Sequence, residues 1–191
     1  MKDVKLEIEH EREFKPYVEL SRANRIILDN ARQKRDGWLY ECMSSILISA
    51  FQFEGLINQI GYIVIPYWEE IERISRKGKL KMICSVLQIS INPSERPFQS
   101  IFELFSFRDQ LAHPKPMILR EKKFCKQENI ENARRVWPKT KWEKMCSIEF
   151  AERCSEDIRQ LGKALCEKSQ IDWDDFISTG CLYSIGPYIQ E

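Results

Sequence analysis

The chain has 191 residues, of which 30 are basic and 29 acidic, so its formal net charge is +1. This length favours one compact domain, residues 1–191, with room for a hydrophobic core. Hydrophobic residues make up 43% and charged residues 31%, the proportions of a soluble globular protein, which argues against global disorder. The 7 glycines and 8 prolines are few, and this favours long helices over a turn-rich β architecture.

The seven cysteines are an odd number, so they cannot all pair within the chain. They form no C-x-x-C spacing and only two histidines accompany them, which argues against a structural zinc site. We therefore expect no metal, no cofactor, and reduced cysteines in a cytoplasmic protein. The most apolar stretch, residues 39–68, contains several polar side chains, so it predicts a buried helix and no membrane partner.

Apolar residues recur at helical spacing along most of the chain, and no segment gives a convincing strand. Pro66 ends or kinks one of the predicted helices, Gly78 breaks the chain, and Pro114 stops another helix. The predicted helices are residues 17–31, 38–65, 67–76, 79–89, 97–113, 142–168 and, more weakly, 173–182. Short turns between helices predict an all-α, antiparallel up-and-down bundle with extra N- and C-terminal helices. Residues 117–142 form a predicted loop insertion with a helical turn near 129–135.

A carboxylate interrupts the apolar stripe of the second predicted helix. Glu54 lies near the centre of that stripe, and Asn58 follows one turn later. A carboxylate on a buried face is costly unless it is paired, so Glu54 requires a cationic partner or an opening to solvent. Arg108 is a reasonable partner. The alternative is a structural hydrogen-bonded pair that fixes the register of the bundle.

Three polar residues lie at the end of the phenylalanine-rich helix that precedes Pro114. Arg108 and Asp109 fall on or beside its inner face, and His113 is the residue before the proline. Because a following proline disfavours helical geometry, we expect His113 to lie at a frayed helix end, at the mouth of a site. The alternative role of His113 is a cation that stabilises the helix C-terminus.

Charge is distributed unevenly. Residues 114–144 carry ten basic and four acidic side chains, a net charge of +6, whereas residues 145–191 carry a net charge of −5. The basic segment directly follows the Arg108–His113 motif and is able to attract a phosphate backbone. Its RNA-binding candidates are Lys115, Arg120, Lys122 and Lys123. The alternative is a solvated loop whose charge serves solubility.

The string Arg108-Asp109-Gln110-Leu111-Ala112-His113 resembles the Arg-x4-His signature of the HEPN superfamily, the higher eukaryotes and prokaryotes nucleotide-binding domains. The resemblance covers residues 37–168 and includes the preceding apolar helix with its Glu and Asn. It implies an all-α bundle that usually dimerises, with two motifs facing each other across a cleft. Many such proteins are metal-independent endoribonucleases of toxin–antitoxin and phage-defence systems, and others are non-catalytic binding modules.

Carried onto this chain, the resemblance gives each motif residue a role. Arg108 would hold the scissile phosphate, His113 would transfer a proton as the RNA 2′-hydroxyl attacks, and Asp109 would orient one of them. Glu54 and Asn58 would support the site. Five residues along a continuous helix separate two side chains by ~140°, so convergence requires fraying at His113 or a second subunit. The expected partners are RNA, a second copy of the chain, and an antitoxin or other protein.

The same residues are compatible with a protein that is not an enzyme. The alternative function is a non-catalytic helical module that binds RNA, a nucleotide or a protein partner. Other enzyme classes are disfavoured, because the sequence contains no glycine-rich phosphate loop, no G-x-S-x-G elbow and no H-E-x-x-H motif.

Overall fold

The structure is a computed structural model that describes residues 6–71, 73–122 and 124–187, and this part of the chain is mostly helical. The helices within it are α1 Pro16–Arg32, α2 Trp38–Val64, α3 Trp68–Ile71, α4 Arg76–Val86, α5 Phe98–Ala112, α6 Ile130–Arg134, α7 Lys141–Met145, α8 Ile148–Lys168 and α9 Trp173–Ile177. The two strands are β1 Leu6–Arg12 and β2 Cys181–Pro187. The predicted helical class is confirmed, and the up-and-down order of the bundle stays a prediction.

The 27-residue helix α2 is the centre of the fold, and α1, α4, α5 and α8 all pack against it. Its buried residues include Ile46, Phe53, Leu56, Ile57 and Ile60, each 0% exposed. Full burial of such side chains stabilises the fold by roughly 1.5–3 kcal/mol each. Despite this apolar character, no helix in the described ranges has both the length and the apolarity to span a membrane.

A close contact between α2 and the following turn requires glycine at position 61. A Cβ atom at Gly61 would lie 2.4 Å from Cε2 of Trp68, closer than any side chain tolerates. The Trp68 indole, 2% exposed, therefore packs directly on the α2 backbone and holds α3 against it.

Side-chain caps explain two of the predicted helix boundaries that were wrong. Gly78 does not break the chain: Ser75 caps α4 by accepting a hydrogen bond from the Gly78 N–H at 3.2 Å, so Gly78 lies in the first turn. The predicted helix 142–168 is two helices, because Ser147 caps α8 by accepting from the Phe150 N–H at 3.1 Å. Before α7, a 3₁₀ turn at Gln127–Asn129 leads into α6, and the interpretation of residues 117–142 as a loop insertion stays a prediction.

The prediction of no strand was also wrong. β1 and β2 form an antiparallel two-stranded sheet in which Leu6 lies opposite Pro187 and Ile8 opposite Ile185. The predicted C-terminal helix 173–182 ends at Ile177, and the chain is extended from Cys181. The sequence LEIEHER of β1 alternates at period two, which is a strand pattern. Its partner, however, lies about 175 residues away in the chain, beyond the reach of local patterns.

All seven cysteines are free, five of them buried (Cys42, Cys84, Cys146, Cys154 and Cys166) and two exposed (Cys125 and Cys181). Burial raises the pKa of the Cys84, Cys146 and Cys166 thiols to about 11, so at neutral pH these groups are protonated and poorly nucleophilic.

We expect iodoacetamide at neutral pH to modify only Cys125 and Cys181 in the folded protein, because the other thiols are both buried and protonated. Peptide mass spectrometry before and after addition of guanidinium chloride measures this, and all seven cysteines should react in the denatured protein. Rapid modification of Cys84 or Cys154 in the folded protein would contradict this packing.

Candidate functional site

Helix α5 ends at the Arg-x4-His motif. Its last residue is Ala112, and His113 has φ −129° and ψ 53°, outside helical geometry. The His113 N–H still donates to the Asp109 carbonyl at 3.1 Å, so His113 caps the last turn of α5. The predicted departure of His113 from helical geometry is confirmed. Arg108 is half-buried, whereas Asp109 and His113 are exposed.

The Asp109 carboxylate lies between two guanidinium groups. Arg76, the first residue of α4, donates through Nη2 to Asp109 Oδ1 and through Nη1 to Glu54 Oε1 at 3.0 Å. Arg108 Nη1 lies 3.5 Å from the same Asp109 oxygen. The predicted pairing of Glu54 with Arg108 was therefore wrong, since the cation that binds Glu54 is Arg76. Arg76 thus connects α2 and α5 from a third helix.

Arg76 remains a cation in this position. Burial by itself would lower the pKa of its guanidinium, but the hydrogen bonds to Glu54 and Asp109 outweigh that effect and raise the pKa. The guanidinium also lies over the Phe105 ring, 5.5 Å from its centroid. Arg76 was not predicted as a site residue, because a break at Gly78 would place it at the end of the preceding helix. The Ser75 cap was the local signal for the true boundary.

The second predicted supporting residue also binds a cation of α4. Asn58 Oδ1 accepts a hydrogen bond from Lys79 Nζ at 2.8 Å, and that ammonium lies 5.6 Å from the centroid of the Trp68 ring. Glu54 and Asn58 are one turn apart on α2, and Arg76 and Lys79 are one turn apart on α4. These two contacts align α4 along α2, as the structural alternative for Glu54 supposed.

The basic segment after the motif is almost entirely accessible to solvent. All residues in 112–122 and 124–132 are exposed, among them the predicted RNA-binding residues Lys115, Arg120 and Lys122. Lys123, the fourth predicted RNA-binding residue, lies outside the described residues. Two large aromatic side chains, Phe124 and Trp137, are exposed among these cations.

The motif does not line the apolar cavity of about 670 Å³ that lies where the start of α1 meets α2 and α9. Its lining residues include Phe14, Gly55, Asn58, Ile63 and Phe176. Arg108 and His113 instead lie at a helix end on the molecular surface. Among residues 6–71, 73–122 and 124–187, no three His, Cys, Asp or Glu side chains are grouped as ligands for a metal ion.

Charge and geometry together define what this surface can do chemically. A guanidinium binds two phosphate oxygens at once, and an exposed imidazole can give or take a proton near neutral pH. No family model, curated protein or solved structure matches the chain.

Proposed function

We propose that this chain is a metal-independent endoribonuclease that acts as a homodimer, with Arg108 and His113 at the dimer cleft, as a toxin or defence protein. One observation carries the proposal. Arg108, in the last turns of α5, and the exposed His113, at the C-terminal cap of that helix, directly precede a segment of net charge +6. The arginine can bind a phosphate, the histidine can transfer a proton, and the basic segment can bind a polyanion.

The reaction is an internal transesterification. His113 takes the proton of a ribose 2′-hydroxyl while O2′ forms a bond to the adjacent phosphorus and the O5′–P bond breaks. The leaving O5′ must receive a proton, which His113 of a second copy can supply when two motifs face each other. Arg108 binds the non-bridging oxygens and stabilises the charge that develops on them. The products are a 2′,3′-cyclic phosphate and a 5′-hydroxyl.

Asp109 and Arg76 act as positioning residues in this proposal. Asp109 holds Arg108 by the 3.5 Å contact, and Arg76 fixes Asp109 while it is itself held by Glu54. An arginine that is restrained before substrate binds loses less side-chain entropy on binding. Glu54 thus supports the site indirectly, through Arg76.

The basic segment supplies the affinity for RNA. Lys115, Arg120 and Lys122 neutralise backbone phosphates, so binding should weaken steeply as salt concentration rises. The exposed rings of Phe124 and Trp137 offer flat surfaces on which unpaired bases stack. This combination favours single-stranded RNA over a duplex, whose bases already stack on each other.

The alternative function is a non-catalytic module that binds RNA, a nucleotide or a protein partner such as an antitoxin. The observation in its favour is that Asp109 bridges two arginines on an open surface, an arrangement that also serves to hold α4 against α5. In that case the basic segment binds the partner and the motif is structural.

Digestion of single-stranded RNA in the presence of EDTA tests the proposal. We expect cleavage that leaves 2′,3′-cyclic phosphate ends, and no cleavage of the same RNA carrying 2′-O-methyl groups, because the nucleophile is then blocked. Binding in a gel-shift assay without cleavage of any RNA would support the alternative module. Cleavage of the 2′-O-methyl RNA would contradict the mechanism.

A further inference from the structure

The sheet formed by β1 and β2 lacks the support that small sheets require. It contains two strands of seven residues each. Residues 6–12 and 181–185 of these strands are all exposed to solvent. Two strands alone are marginally stable in water, and independent stability takes three or more strands or packing against another element. In the described part of the chain no third strand pairs with either edge.

One face of the sheet is largely apolar. It also carries His10 and Arg12, but because directly opposite residues point to the same side, Leu6, Ile8, Tyr183 and Ile185 form an apolar group on it. All four are more than half exposed, from 53% for Ile8 to 73% for Tyr183. Exposed apolar side chains gathered on one face mark an interaction surface more often than isolated ones do.

The two edges of the sheet differ in charge, and this difference selects the partner. β1 carries Glu7, Glu9 and Glu11, so two β1 edges would place like charges close together. β2 has the sequence CLYSIGP, which contains no charged residue. If β2 paired with β1 of another copy, each assembly would keep one free β1 edge and one free β2 edge, and further copies could add without limit. If β2 pairs with β2, the two copies form a closed twofold dimer.

We propose that β2 pairs antiparallel with β2 of a second copy, giving a four-stranded sheet across a twofold axis. The register that pairs all seven residues places Ser184 opposite Ser184 of the other copy and Tyr183 opposite Ile185. Residues of the apolar face then meet apolar residues, and aromatic and β-branched side chains pair across the junction. A shift by one residue would put the apolar face of one copy beside the polar face of the other. The proposal does not depend on ribonuclease activity. For the homodimer proposed above, the twofold axis at Ser184 must also be the one that relates the two motifs, because two separate twofold contacts would assemble more than two copies.

A matched pair of lysine substitutions tests which strand borders the second copy. Ile8 and Ile185 are opposite each other, on the same face, and 53% and 57% exposed, but only Ile185 lies on β2. We expect Ile185→Lys to raise the dimer dissociation constant about tenfold or more, because the symmetric interface carries the lysine twice. Ile8→Lys should change it by less than about threefold, since β1 lies one strand further away. Sedimentation velocity over a concentration series measures both, after circular dichroism confirms folding.

Disulfide trapping tests the register. In a background of Cys125→Ser and Cys181→Ser, we expect Ser184→Cys to form an intermolecular disulfide under mild oxidation, because opposite Cα atoms in a sheet lie within disulfide range. The control Glu9→Cys, opposite Ser184 but on β1, should not crosslink. A monomer at all concentrations, equal effects of the two lysines, or crosslinking through position 9 alone would overturn the proposal. If the protein is a monomer at all concentrations, any strand that pairs with the β2 edge must come from a different protein.

Discussion

The His113→Ala variant is expected to cleave RNA at least about 100-fold more slowly than the wild type, because a positioned proton-transfer group contributes roughly 10²–10⁴-fold to such a reaction. Imidazole is the side chain that most often transfers protons in enzymes, and His113 supplies one at the end of α5. Its removal from an exposed helix end should cost little stability, since no core contact is lost. Initial rates on single-stranded RNA in EDTA measure the effect.

The second histidine provides the matched control. His10 lies on β1 opposite Tyr183 and is not part of the Arg-x4-His motif, so His10→Ala should cleave at the wild-type rate. Arg108→Lys keeps the charge but loses the two-pronged guanidinium, and we expect it to be impaired as well. Cleavage by His113→Ala at the wild-type rate would assign the chemistry to another site or to a contaminating nuclease.

The Arg96→Ala variant is expected to lose about 2–3 kcal/mol of the free energy of unfolding, because it leaves a buried carboxylate with too few partners. Asp157 on α8 is 0% exposed. Arg96 donates to both of its oxygens at 2.7–3.0 Å, and Ser100 Oγ donates at 2.5 Å. The Arg96 side chain is 50% exposed, so water can enter the vacated space, and the loss should fall below that of a fully buried pair.

Urea denaturation measures this loss as a lower midpoint with an unchanged slope. Arg159→Ala is the control. The Arg159 side chain is 48% exposed and its partner Glu156, 2.7 Å away, is 39% exposed, so this ion pair should contribute less than about 1 kcal/mol to the free energy of unfolding. Adding Asp157→Leu to Arg96→Ala should recover part of the loss by removing the unpaired charge. Equal midpoints for Arg96→Ala and Arg159→Ala would contradict the described burial of Asp157.

Local sequence signals predicted the parts of the structure that depend on neighbours along the chain. The apolar spacing of α2 and α8 predicted their buried faces, including Ile46 and Ile57 on α2 and Ile158 on α8. Pro114 predicted the departure of His113 from helical geometry, because the constraint acts on the preceding residue.

Contacts between distant segments were out of reach of the same signals. The partner of Glu54 depends on where α4 begins. The helix was predicted to begin at residue 79, but Ser75 caps it and it begins at Arg76. The environment of Asp109 changed with it, since Arg76 binds both carboxylates. The sheet was not predicted for a similar reason. The alternation of apolar and polar residues in β1 indicates a strand only once β2, far away in the sequence, is known to pair with it.

The exposed stretch between α5 and α7 has a consequence for how the protein can evolve. Residues 112–122 and 124–132 are exposed, so they contribute little to the hydrophobic core. The entropic cost of closing a flexible loop rises only slowly with its length, by about 0.6 kcal/mol per doubling. We therefore expect insertions, deletions and exchanges of charge in this stretch to leave the bundle folded. Ligand preference can diverge among descendants of this chain while the helices and the end of α5 stay unchanged.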